Sequence, residues 1–256
     1  MDVHQGNSAV VVTPHGHSVM IDTGGVRENA FDIGTRVDMP YLLHYGIRSI
    51  DYILLTHAHE DHAAGAGSLL RKMSVGRVIT AHEPLSDYAG SMGFRQNAPE
   101  LKKLAQAKEG THIELDGVSI DVIYAPEEAP KGVSATGNEL SNVYRITYGK
   151  ASFLFTGDMI KEQEKILLER GTELKSTVLQ VGHHGSHTSS SEEFVHAVHP
   201  AWAVFSVGAD NTFGHPRPEV VKRYQEEGSR ICRTDMDGAI VFYTDGEHMR
   251  MEKYRN

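Results

Sequence analysis

The segment that most narrows what this chain can fold into is Leu54-Leu55-Thr56-His57-Ala58-His59-Glu60-Asp61-His62, an apolar run that ends in three histidines and an aspartate within six residues. In extended backbone His57 and His59 point the same way. Asp61 and His62 then open a helix, and the turn between lets the two pairs converge on neighbouring points. Imidazole nitrogen and carboxylate oxygen suit zinc or a similar divalent ion. Two such ions a few ångström apart can activate water and clamp a reacting phosphate. An ordinary solvated turn does not carry this density of ligands.

Three further apolar runs end in the same kind of polar turn. Ser152-Phe153-Leu154-Phe155-Thr156-Gly157-Asp158 ends in a carboxylate, and strand ends are where sites form in α/β sheets. Asp158 is therefore the candidate to bridge two ions. Val178-Leu179-Gln180-Val181 leads into Gly182-His183-His184-Gly185-Ser186-His187. Adjacent histidines point apart, so one can bind metal while the other meets substrate, and the residues alone leave open which does which. Ser186 is a candidate substrate contact and His187 reads as surface. Trp202–Val207 leads to Asn211-Thr212-Phe213-Gly214-His215-Pro216, where His215 precedes a helix start, a place that favours anions. His215 is a candidate for a phosphate contact or proton donor. Asp22 ends an early strand and could orient a metal-bound imidazole.

Composition sets the bounds. The chain has 256 residues, enough for a sizeable core, with 39% hydrophobic and 23% charged residues. A net charge of −9 argues against a broad nucleic-acid-binding face but leaves room for a local basic groove or metal-mediated phosphate binding. The one cysteine, Cys232, excludes an internal disulfide and any multi-cysteine metal site. No apolar stretch approaches the roughly 18 residues of a membrane span, and the first residues do not read as a signal peptide. Of the 16 histidines, His4, His15, His17, His44, His82, His112, His196, His199 and His248 have no partner pattern and read as surface or locally satisfied.

Short β-rich runs alternate with helical ones. Strands are expected at Ser8–Thr13, Ser18–Ile21, Tyr52–Leu55, Arg77–Thr80, Ser119–Ile123, Val143–Tyr148, Ser152–Phe155, Thr177–Val181, Trp202–Val207, Arg230–Arg233 and Ala239–Tyr243. Helices are expected at Ile33–Tyr45, Asp61–Met73, Glu100–Lys108, Ile160–Arg170, Ser191–Val198 and Pro218–Glu227. Two strand-rich halves with helices on one side of each suggest an α/β (α+β) four-layer αββα sandwich spanning 1–256, its halves joined near Gly149-Lys150. The long irregular stretch Ala125–Asn138 reads as a lid or binding loop.

Taken together, the His57/His59/Asp61/His62 cluster, Asp22, Asp158 and His184 resemble, in order, the motifs of the metallo-β-lactamase superfamily. More narrowly, the chain is similar to the metallo-β-lactamase-like domain of ComEC-type DNA-internalisation competence proteins. The resemblance rests on Asp2-Val3-His4-Gln5-Gly6-Asn7-Ser8, Leu154–Asp158, Val181–Ser186, Phe213-Gly214-His215-Pro216 and Arg233–Ile240. It departs from the family's opening segment, where His4 and Asn7 stand for Gly and Asp. No histidine lies between Ile113 and Gly157, where the superfamily places a third-motif ligand. Ser141-Asn142 occupies that place, which makes Asn142 a candidate substrate contact.

The resemblance implies a metal-dependent hydrolase with two divalent ions, Zn²⁺ or Mn²⁺. His57 and His59 would hold one ion, Asp61, His62 and His184 the other, and Asp158 would bridge them. Asp61, His183 and His215 are the expected catalytic residues. The ion with fewer protein ligands suits a substrate with several anionic oxygens, so the expected activity is phosphodiester hydrolysis, most of all of DNA during uptake. The rival expectations are a small-molecule phosphodiester hydrolase of the phosphorylcholine-esterase kind and a non-catalytic binding domain with a degenerate site. A domain of this kind would work at the outer face of the cell membrane beside a channel in the same polypeptide, without inserting itself. A complete chain would be cytoplasmic.

Overall fold

The computed structural model describes residues 1–25, 31–133 and 136–255. Residues 134–135 of the stretch expected to form a lid lie outside the described residues. The first sheet has the order β1-β2-β3-β4-β5, made of Ser8–Val12, Ser18–Thr23, Ser49–Leu54, Ser74–Thr80 and Leu104–Gln106. β1 and β2 form an antiparallel hairpin that turns through Pro14–His17, and β2 to β5 run parallel. The second sheet has the order β12-β11-β10-β9-β8-β7-β6. Its strands are β6 His112–Leu115, β7 Val118–Tyr124, β8 Val143–Tyr148, β9 Ala151–Phe155, β10 Val178–Gln180, β11 Trp202–Phe205 and β12 Arg230–Arg233. A separate hairpin pairs β13 (Ala239–Thr244) with β14 (Met249–Tyr254). The helices are α1 Met39–His44, α2 Glu60–Lys72, α3 Leu85–Ser91, α4 Lys161–Glu169, α5 Glu192–Val198, α6 Pro218–Glu226 and α7 Thr234–Asp237.

Side-chain alternation along the strands builds three layers of core, and so four layers of structure. Val19, Ile21 and Leu54 of the first sheet meet Ile120, Val122, Tyr144, Ile146 and Phe155 of the second. The opposite faces carry the helices. Met20, Ile50 and Ile53 pack on Ala63, Ala66 and Leu69 of α2. Leu154, Leu179 and Phe205 pack on Leu167 of α4, Phe194 of α5 and Val220 and Tyr224 of α6. This is the αββα sandwich. The chain passes from one sheet to the other between Gln106 and His112, and the turn at Gly149-Lys150 lies inside the second sheet, between β8 and β9.

The helix expected over Glu100–Lys108 is not there. Pro99–Lys103 makes a short 3₁₀ turn, and Leu104-Ala105-Gln106 pairs with Val78–Thr80 as the edge strand β5. Ladder bonds to a formed sheet outweigh a helical preference carried by a few residues. The expected helix over Ile33–Tyr45 is split into a π-turn at Gly34–Asp38 and α1. Ser191 caps α5, accepting from the Phe194 N–H at 3.3 Å, and Pro218 opens α6. No helix among the described residues is long and apolar enough to cross a membrane.

Candidate metal centre

All four polar turns lie at the same end of the two sheets. β3 delivers Thr56 and His57, and the first turn of α2 delivers Asp61 and His62. The turn after β9 delivers Asp158, and the turn after β10 delivers His183 and His184. Gly157 is left-handed (φ 52°), and a Cβ there would lie 2.5 Å from the Thr56 side chain, so glycine is what lets the two sheet ends close on each other. His183 and His184 are both left-handed without being glycine (φ 48° and 53°). The surroundings fix this costly backbone: the His183 N–H donates to the Gly157 carbonyl at 3.0 Å, and the Ser186 N–H to the His183 carbonyl at 2.8 Å.

The ligand atoms fall into two groups that share one carboxylate. Atoms of Asp61, His62, Asp158 and His184 lie within 4.8 Å of one another, and so do atoms of His57, His59 and Asp158. His62 Nε2 is 3.1 Å and His184 Nε2 3.6 Å from Asp158 Oδ1, and His184 Nε2 is 3.3 Å from Asp61 Oδ2. His183 stands outside both groups, with its Nε2 3.6 Å from Asp158 Oδ2.

Each histidine of the two groups has one ring nitrogen tied to the protein. His62 Nδ1 is 2.7 Å from Asp22 Oδ2, His184 Nδ1 is 2.8 Å from the Ser206 carbonyl and His57 Nδ1 is 3.1 Å from Thr56 Oγ1. His59 Nε2 is 2.6 Å from the Thr136 carbonyl. The other nitrogens of His57, His62 and His184, together with Asp158 Oδ1, are buried without a hydrogen-bond partner. Buried polar atoms are otherwise nearly always satisfied. Four orphans converging on one space, all of types that ligate zinc or manganese, fit a metal centre.

The electrostatics agree. Burial alone would raise Asp158, but His62, His184 and His183 outweigh it and hold its carboxyl well below the usual range. Burial and the neighbouring His62 push His57 far down, leaving a neutral imidazole. His62 goes the other way: burial opposes its charge, yet Asp158 and Asp22 raise it well above the ordinary value. A proton there supplies positive charge among three carboxylates, the charge that an ion would supply in its place.

Asp22 sits where an orienting group is needed. Its Oδ1 accepts from the Thr56 N–H at 2.8 Å while Oδ2 faces His62. His215 lies 5.8 Å from the His183 ring and 6.5 Å from the His184 ring, centroid to centroid. Burial, then His184 and His183, lower it to about 4. The two expected substrate contacts do not reach the open face. Asn142 is fully buried, with its Nδ2 on the Tyr144 hydroxyl at 2.8 Å and its N–H on the Thr56 carbonyl. Ser186 is buried too, and its Oγ accepts from the Thr188 hydroxyl at 3.0 Å, within the turn that carries the two histidines.

Several supporting residues carry no sequence signal. Glu83 accepts the Ala58 N–H at 2.6 Å, between the two histidines, and burial lifts its carboxyl to about 7. Glu139 holds the Thr136 N–H at 2.7 Å, so the carbonyl that meets His59 is itself fixed. The Asp158 N–H donates to Ser141 Oγ at 3.2 Å, so the place where the superfamily's histidine was expected holds the backbone of the candidate bridging carboxylate instead. The scattered histidines pair locally, as His112 does with Asp121 at 2.7 Å and His199 with Glu227 at 2.5 Å.

Residues 1–206 match the model of the metallo-beta-lactamase superfamily. The chain is 32% identical over 253 residues to ComE operon protein 3 of Bacillus subtilis, covering 94% of this chain and 32% of that protein. It is 34% identical over 242 residues to competence protein ComA of Neisseria gonorrhoeae, covering 94% of this chain and 31% of that protein. The chain thus spans about a third of the length of these relatives. Among solved structures, CmlA, a diiron β-hydroxylase from Streptomyces venezuelae, shares the fold at a TM-score of 0.57 and 15% identity, over 98% of this chain and 54% of that one.

Proposed function

The chain belongs to the metallo-β-lactamase superfamily, and from that premise we propose that it is a two-metal phosphodiesterase whose substrate is DNA, acting in DNA uptake. The observation that carries this reading is the asymmetry of the two ligand groups, four side chains in one and three in the other with Asp158 in both. His57 and His59 would hold the more open ion, Asp61, His62 and His184 the other, and Asp158 would bridge them. When bound, two divalent ions supply an activated water and neutralise charge on a phosphate. The open side leaves room for anionic oxygens, which a phosphodiester has and a lactam lacks.

The chain's own groups have separable tasks. Asp22 and Thr56 fix the ring of His62, the Ser206 carbonyl fixes His184 and the Thr136 carbonyl fixes His59. His183 has its Nδ1 on Thr188 Oγ1 at 2.9 Å and its Nε2 3.4 Å from Asn138 Nδ2. His215, lowered to about 4, is neutral near pH 7. It therefore serves as a hydrogen-bond donor to a phosphate or leaving oxygen rather than as a standing cation. The competence relatives support DNA as the substrate, and a membrane channel in the same polypeptide belongs to this same proposal.

The test is hydrolysis of linear DNA and of bis-p-nitrophenyl phosphate with Mn²⁺ or Zn²⁺. Wild type should cleave both. Asp158→Ala should lose about 1,000-fold in kcat/KM, because the shared ligand of both ions contributes several kcal/mol to the transition state. Elemental analysis of that variant should find less than two ions per chain. Equal activity in wild type and variant overturns the reading.

A further inference from the structure

Beside the metal centre stands an aromatic ring with no task in the fold. Phe213 is 60% exposed, while the other large side chains near it are buried or half-buried. Its ring lies nearly parallel to that of His215, with centroids 5.9 Å apart and planes at 21°. His215 in turn lies nearly parallel to His184, at 6.5 Å and 25°. Three rings therefore step outward from the ligand cluster in similar orientation, and the outermost is hydrophobic and open.

The loop holding Phe213 is built to keep it there. Asn211 brackets the turn: its Oδ1 accepts the His215 N–H at 3.0 Å, and its Nδ2 donates to the His215 carbonyl and the Gly208 carbonyl, each at 2.8 Å. The Arg217 N–H donates to the Gly185 carbonyl at 2.9 Å, tying this loop to the turn that carries His183 and His184. A phenyl ring fixed in water loses the stabilisation that burial would bring. The Arg217 guanidinium lies over Gly214, and its Nε is buried without a partner.

We propose that Phe213 is a stacking platform for an unpaired nucleobase next to the scissile phosphate, with Arg217 on the adjoining backbone phosphate, so that the substrate is a single strand and not a duplex. The proposal rests on the phosphodiesterase reading above. Every base has a π-face, so one open aromatic ring binds without regard to sequence. Inside a duplex both faces of each base are covered by the neighbouring pairs, so away from the ends only a single strand offers a free face. Phe213 lies beyond His215 as seen from the ligand cluster, so a substrate meets it only by continuing past the reacting phosphate. A small phosphodiester does not extend that far.

The test compares wild type, Phe213→Ala and Phe213→Trp on three substrates of equal length: a single-stranded DNA 12-mer, the same strand with abasic residues throughout and a blunt duplex. Two readouts are taken: kcat/KM with Mn²⁺, and affinity of the EDTA-treated protein by fluorescence anisotropy. Wild type should prefer the base-bearing strand to the abasic one by about tenfold in both readouts. Phe213→Ala should erase that preference and Phe213→Trp restore it, and wild type should cleave the duplex more slowly than the single strand. A wild type without the preference, or an alanine variant that keeps it or loses equally on base-bearing and abasic strands, overturns the platform. A wild type that binds with the preference but cleaves nothing overturns the phosphodiesterase reading and leaves the platform standing.

Discussion

At the scale of single residues, the two kinds of buried carboxylate in this chain behave oppositely. Asp158 lies among imidazoles and stays ionised. Asp38, in the π-turn ahead of α1, is buried with one Ser8 hydroxyl at 3.0 Å on Oδ1 and nothing on Oδ2. Burial raises it to about 8, more than the Ser8 hydrogen bond lowers it. Between the ordinary carboxylate range and about 8, the folded chain holds a proton that the unfolded chain has lost. Stability attributable to Asp38 is thus fully present at acid pH and declines as pH rises through that window. Asp38→Asn removes the titration and keeps the shape. Thermal melts at pH 5 and pH 8.5 should show the variant gaining on wild type at the higher pH; a difference independent of pH would contradict the burial argument.

At the scale of elements, α2 matters because its first turn carries two candidate ligands, Asp61 and His62. Its register is set by a close approach: a Cβ on Gly65 would lie 2.1 Å from the Thr23 carbonyl oxygen and 2.8 Å from Asp38 Oδ2. Thr23 Oγ1 also donates to the His62 carbonyl at 3.0 Å and accepts the Ala66 N–H at 2.9 Å. Gly65→Ala must push the helix off β2. It should cost roughly 1–3 kcal/mol in urea unfolding and weaken metal binding measured against a competing chelator. Unchanged metal affinity would mean that α2 does not set the ligand geometry.

What the sequence made legible follows from the same physics. Strands ending in His, Asp and Gly clusters announced themselves because each lies within a few residues of its own motif, as His57 does of His62. Glu83 and Thr136 did not, because each acts across the fold on a residue far away in the chain, as the Thr136 carbonyl does on His59, and Glu139 acts only through Thr136. Asn142 and Ser186 lie close to the candidate ligands Asp158 and His184, but their side chains turn inward to Tyr144 and Thr188. β5 was missed because three residues at a sheet edge are specified by the neighbouring β4, not by their own pattern.

At the scale of the molecule, the candidate ligands come from both sheets: four from the first, and Asp158 and His184 from the second. Ions held by both sets of residues would tie the two layers together in addition to the inter-sheet core. At free metal about 100-fold above Kd the folded state should gain ~2.7 kcal/mol, which for a chain of this size raises Tm by about 5–10 °C. Calorimetry with Mn²⁺ and with EDTA checks this; identical melts would separate metal binding from the cohesion of the sandwich.

The division of ligands between the sheets also fixes a timetable. During synthesis the first sheet is complete once Gln106 has emerged, and by then His57, His59, Asp61 and His62 are already present. Asp158 and His184 follow only as the second sheet is made. At ~5–20 residues per second the wait for His184 lasts roughly 4–16 s. For that interval the nascent chain carries three imidazoles and a carboxylate of the candidate centre without Asp158, the side chain common to both groups, so neither group can be complete before the second sheet is made.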